Sequence, residues 1–160
     1  MFRSRCFASA PTKVAFCLVL CAVLAAVSGC SKNGPYSCTK VSGKVMYEDG
    51  SLIKADEIQV VFLSQTPPID SRTPPKPGRA NADGKTGKFD FVTTFVHGDG
   101  IIAGEHKVIF KCVSGKRLQR LVPDDYTNPD KTPVKVKSSD PQPFEFKIPK
   151  PRQTARTANG

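Results

Sequence analysis

Residues 39–47, Thr-Lys-Val-Ser-Gly-Lys-Val-Met-Tyr, decide the fold class of this 160-residue chain. Val41, Gly43, Val45 and Tyr47 fall on one side, and Lys40, Ser42 and Lys44 on the other. That period-two alternation is the mark of a strand with one buried face. Glu48-Asp49-Gly50 then supplies the residues of a turn.

The same pattern returns along the chain. In 57–64, Ile58, Val60 and Phe62 point inward, while Val61 and Leu63 make the strand apolar on both faces, as in a partly covered central strand. In 105–113, His106, Val108 and Phe110 alternate with Lys107, Ile109 and Lys111. Shorter strands are expected at 79–82, at 88–93 with Phe89 and Phe91 inward, at 133–137 with Val134 and Val136, and at 143–148 with Phe144, Phe146 and Ile148. Residues 65–78 hold five prolines and read as a long surface loop. The 14 prolines of the whole chain disfavour long helices, because proline lacks the amide donor and clashes with the preceding turn. Seven short strands with turns between them predict an all-β protein, a seven-stranded β-sandwich.

The first thirty residues do not share this pattern. Arg3, Arg5 and Lys13 precede an apolar run over 14–27, and no acid occurs before Glu48. The run is short for a membrane span, which needs about 20 apolar residues, and it has the length and flanks of a signal-peptide helix. It ends in Val27-Ser28-Gly29-Cys30. This resembles the lipobox of bacterial lipoproteins, an aliphatic residue and two small ones before a cysteine. The resemblance implies that residues 1–29 are removed, that the Cys30 thiol carries a diacylglycerol, and that the lipid bilayer is a partner through acylated Cys30. Two or more acyl chains make such attachment stable where one is marginal. Ser31 follows Cys30, which resembles the default route to the periplasmic face of the outer membrane in the cell envelope. The expected organisation is a signal peptide over 1–29, a lipidated tether over 30–37, a β-sandwich domain over 38–150 and a disordered basic tail over 151–160.

Processing changes the cysteine count. Cys6, Cys17 and Cys21 leave with the signal peptide and Cys30 is modified, so Cys38 and Cys112 remain of the six. An oxidising envelope permits a disulfide between Cys38 and Cys112. Strand parity points elsewhere, since Cys112 continues the inward series of Val108 and Phe110. A Cys38–Cys112 bridge and a buried free thiol at Cys112 both stay open. The formal charge of +10 falls by three with the leader, and Lys150, Arg152 and Arg156 sit near the C-terminal end. A cationic surface attracts anionic polymers or headgroups. No nucleic-acid-binding motif occurs, so nucleic acid is not an expected partner.

Several spacings match one family pattern. They are Val41-x-Gly43-x-Val45 before Asp49-Gly50, Ile58-x-Val60-x-Phe62, Gly87-x-Phe89, Gly98-Asp99-Gly100 with Gly104-x-x-x-Val108, and Val122-Pro123-x-x-Tyr126 before Thr132-Pro133. Together they resemble the bacterial lipoproteins whose mature part is similar to carboxypeptidase regulatory domains, a transthyretin-like (prealbumin-like) Greek-key β-sandwich. The resemblance covers residues 41–148 and implies an accessory module, not a catalyst. At His106 the family usually carries a tyrosine, which puts one core contact in doubt.

Chemistry-bearing constellations are sparse. The transthyretin-like hydrolases of 5-hydroxyisourate end in tyrosine-arginine-glycine-serine, whereas this chain ends Thr157-Ala158-Asn159-Gly160, so that activity is not expected. No GxSxG elbow, HExxH pair or phosphate-binding glycine loop occurs. His97, Asp99 and His106 could supply imidazole and carboxylate to a metal, but no third strong ligand is evident beside them. Asp124-Asp125 are adjacent, and adjacent residues of an extended chain point to opposite sides. No catalytic residue, metal or cofactor is expected. The reading is a non-catalytic, membrane-anchored envelope lipoprotein acting as a structural or protein-interaction module. The alternative is a module binding envelope polysaccharide through loops 65–79 and 97–104.

Overall fold

In the computed structural model the described residues are 34–115 and 117–151. The expected signal-peptide helix, Cys30 and residues 152–160 of the expected basic tail lie outside them. The described chain is all-β, with ten strands in three open sheets and one 3-10 turn, η1 (Asp124–Thr127). The strands are β1 (Cys38–Thr39), β2 (Gly43–Tyr47), β3 (Glu57–Ser64), β4 (Gly78–Asp83), β5 (Lys88–Phe89), β6 (Ile101–Ile102), β7 (Glu105–Ser114), β8 (Arg117–Gln119), β9 (Lys135–Lys137) and β10 (Phe144–Ile148). Each of the seven stretches expected to be a strand contains one. β1, β6 and β8 are short additions that no run of alternating residues announces.

The largest sheet runs β4-β3-β7-β8, with β9 pairing the other end of β7. Its backbone is the antiparallel β3–β7 ladder, from Glu57 opposite Val113 to Ser64 opposite His106. A second sheet, β10-β2-β5, joins β10 to β2 in parallel, with Phe146 opposite Val45. Gly43 is required where these strands meet, since a Cβ there would lie 2.7 Å from the Phe144 carbonyl oxygen and from the Phe89 ring. β1 and β6 form a two-stranded sheet.

Alternation places the core. Val45, Tyr47, Ile58, Val60, Phe62, Val108, Phe110, Phe144, Phe146 and Ile148 are buried in one cluster drawn from both larger sheets. Phe62 is its hub, with ring centroids 6.1–6.3 Å from Phe89, His106, Phe144 and Phe146. Edge-to-face and tilted packing of this kind adds to plain area burial. On the opposite face of the large sheet, Val61 stands across from Ile109, and both are buried outside this cluster. Arg79 sits directly opposite Val61 on the other side.

One sequence expectation needs correction, and one open alternative is decided. Phe91 does not point inward: it is 48% exposed, and Val92 takes the buried place instead. The cause is a change of sheet. β5 ends at Phe89 on the β2 side, and Thr93 already bridges Arg79 of β4, so the alternation shifts by one residue in between. Of the two alternatives left open for Cys38 and Cys112, the structure has both thiols free. Cys38 pairs with Ile102, whose carbonyl bonds His106 at the start of β7. Cys112 lies six residues further along that strand, roughly 20 Å away at strand rise. Cys112 is the buried thiol that strand parity suggested.

Candidate functional site

The most organised loop cluster lies where the described chain begins. Tyr36 is buried, and its ring stacks on Phe95 with centroids 6.1 Å apart and planes 9° apart. The Tyr36 hydroxyl donates to the Thr73 carbonyl at 2.7 Å and accepts from the Ile69 amide at 3.1 Å. One side chain thus pins the proline-rich loop 65–77 to the loop carrying Phe95. The next residues continue the contact, with the Ala103 amide bonded to the Ser37 carbonyl and β1 paired to β6. Lys76 Nζ stands 5.5 Å over the Phe95 ring, a cation–π contact.

Asp99 organises the loop beneath. Its carboxylate accepts from the amides of Thr94 (2.7 Å), Phe95 (2.9 Å) and Val96 (3.0 Å). Burial pulls this carboxyl upward, but the amides of Thr94, Val96 and Phe95 outweigh it and hold it below the ordinary carboxylate range. Asp99 also acts on Cys38. Burial, then the Asp99 charge and hydrogen bond, push the Cys38 thiol up to about 11. Burial alone pushes Cys112 to about 11. Neither is a ready nucleophile at neutral pH.

Asp99 and the two histidines do not converge. Asp99 faces backbone amides, His97 packs against Phe91 with centroids 4.5 Å apart, and His106 is buried with Nε2 2.7 Å from the Ile102 carbonyl oxygen. Among the described residues no group of three or more His, Cys, Asp or Glu side chains gathers as a metal site. Asp124 and Asp125 open η1, both exposed.

Two clefts lie at strand edges. One, of about 540 Å³, separates β4 from β5 and is lined by Arg79, Asn81, Asp83, Lys88, Asp90 and the exposed Phe91–His97 pair. Arg79 exchanges both backbone hydrogen bonds with Thr93, at 2.8 and 2.9 Å. By antiparallel alternation, the Asn81 N–H and C=O therefore also point away from β3. No backbone partner meets them among the described residues. The second cleft, of about 430 Å³, lies beside β7 and β9 and is lined by Gln65, Glu105, Lys107, Lys135, Lys137 and Asp140. Its charges are partly matched, with Lys137 Nζ 3.2 Å from Glu105 and the Lys137 amide bonded to Asp140.

Sequence reasoning placed candidate loops at 65–79 and 97–104, and the structure brings parts of both together. It missed Tyr36, read as part of a polar tether, and the exposed face of Phe91. An aromatic residue in an otherwise polar stretch was the available signal for Tyr36. No protein-family model, curated protein or solved structure matches the chain.

Proposed function

We propose that this protein is a non-catalytic lipoprotein of the cell envelope, anchored through acylated Cys30 at the periplasmic face of the outer membrane. Its role is to hold a protein partner. In this reading the sheets form a Greek-key β-sandwich of the transthyretin-like kind, built on β2, β3, β4, β5, β7, β9 and β10. The lipobox motif Val27-Ser28-Gly29-Cys30 supports the anchor, and exchange of Cys30→Ser with loss of fatty-acid labelling and membrane fractionation tests it.

The observation that carries the interaction reading is the outward backbone step at Asn81 beside the β4–β5 cleft. An extended segment of a partner can add its own N–H and C=O there, while Arg79, Asp83, Lys88 and Asp90 select its side chains. A photoreactive residue at Asp90, activated in intact cells, should give one dominant protein adduct. Asn81→Pro removes the outward amide and should abolish that adduct. An adduct unchanged by Asn81→Pro would overturn pairing at this edge.

A polysaccharide ligand is the second reading. The exposed Phe91 ring, tilted 60° to His97, favours it, because one open aromatic face in a cleft suits a sugar ring. Retention of a defined envelope polysaccharide by the Cys30→Ser chain, lost in Phe91→Ala, would establish this reading over the first.

A further inference from the structure

We propose that the loop cluster around Tyr36 is a membrane-docking face, on which Ile69 and Val96 enter the headgroup region and Arg72 and Lys76 meet anionic lipid phosphates. This rests on the acylation of Cys30 proposed above. Only Ser31, Lys32 and Asn33 separate Cys30 from Gly34. Four residue steps reach about 14 Å at full extension. Gly34 gives little slack, since a Cβ there would collide with the Phe95 ring, and Tyr36 two residues on is buried. Acyl chains on Cys30 are therefore confined to that reach from Gly34, and the domain has no long leash on which to turn another face to the bilayer.

The chemistry of the cluster suits that position. Ile69 is 58% exposed and Val96 44% exposed, on the two loops that Tyr36 joins. Each is a large apolar side chain open to solvent, tied to the Tyr36–Phe95 stack by a hydrogen bond or by sequence adjacency. Loop 65–77 carries Arg72 and Lys76 against the single acid Asp70, whose carboxylate accepts from the Arg72 amide at 2.7 Å. In the neighbouring loop Asp99 faces backbone amides. Exposed apolar side chains with cations on the same loop are what an anionic bilayer surface binds, and either alone is weaker than both.

The chain has no tryptophan, so Ile69→Trp introduces one indole as a reporter. Leu118→Trp is the control, at a residue 70% exposed on β8, paired with the far end of β7. Each acylated variant is reconstituted into phosphatidylethanolamine–phosphatidylglycerol vesicles with brominated acyl chains. The indole at position 69 should shift to the blue and lose most of its emission to the bromines, while that at 118 keeps its aqueous spectrum. Adding Arg72→Gln and Lys76→Gln should weaken the quenching at 69. Equal emission at both positions in protein whose intact mass carries the acyl chains would overturn the docking face and leave the anchor standing. A mass without acyl chains would instead remove the anchor, and the docking face with it.

Discussion

The Tyr36 ring stacks nearly parallel to that of Phe95, and its hydroxyl is shared between the Thr73 carbonyl and the Ile69 amide. One residue therefore holds the first described segment, the proline-rich loop and the Asp99 loop in one arrangement. Tyr36→Phe keeps the stack and loses two hydrogen bonds, a cost of about 1–2 kcal/mol. Tyr36→Ala also loses the buried ring, for about 3–5 kcal/mol. Trypsin cleavage after the exposed Arg72 should rise in that order, wild type slowest. Identical cleavage in all three would show that Tyr36 does not hold the loop.

Free thiols give a second prediction. In protein acylated and cleaved at Cys30 as proposed above, denaturation in the absence of reductant should expose two titratable thiols, Cys38 and Cys112. In the folded state both are held near 11, Cys38 by burial and then by Asp99, and Cys112 by burial. Alkylation at neutral pH should then run roughly two orders of magnitude slower than for an ordinary cysteine near 8.5. Finding no thiol after denaturation would mean that the two are bonded.

The reach of the sequence is visible in these same residues. Ile58, Val60 and Phe62, Val108 and Phe110, and Phe144, Phe146 and Ile148 could be read as core, because long strands buried on one face must alternate. Phe91 could not, since the chain changes sheet between Phe89 and Thr93, and parity holds only within one ladder. Ile101–Ile102 is too short to show any period, and its pairing with Cys38–Thr39 joins segments distant in sequence. Of the candidate site, the loops were legible from their prolines and glycines. The bond that unites them was not, because it depends on where one tyrosine hydroxyl lands.

His106 makes stability depend on pH. Burial drives its imidazole below the ordinary 6.5, and the Ile102 carbonyl only partly opposes this. Its Nδ1 is buried without a hydrogen-bond partner, so a proton there has no acceptor. Below 6.5 the unfolded chain binds a proton that the folded ring does not, and stability falls as pH drops toward the lower folded value. The slope reaches at most about 1.4 kcal/mol per pH unit. His106→Phe should flatten the denaturation midpoint between roughly pH 6.5 and 5, above the range in which ordinary carboxyls titrate. It should also lower stability at every pH by about 1–3 kcal/mol, because the buried Ile102 carbonyl loses its donor. An unchanged slope would exclude His106 as the titrating group.

Asp99 and Tyr36 should behave as one unit. Asp99→Ala removes the acceptor of three amides, at about 1–2 kcal/mol after allowance for its partial exposure, and it frees the loop that positions Phe95 under Tyr36. In a double-mutant cycle with Tyr36→Ala, the combined loss should fall short of the sum by about 0.5–3 kcal/mol. The sign of the pH effect follows from the depressed carboxyl. Its contribution is complete above the unfolded value of 3.8 and disappears as pH falls through the lower folded value, so the cycle shrinks only in strong acid. Cys38 offers an independent readout, since Asp99 raises its thiol through both charge and hydrogen bonding. Asp99→Ala should therefore speed Cys38 alkylation and leave Cys112, raised by burial alone, unchanged. Additive losses together with an unaltered Cys38 rate would separate the two residues and dissolve the cluster as a cooperative element.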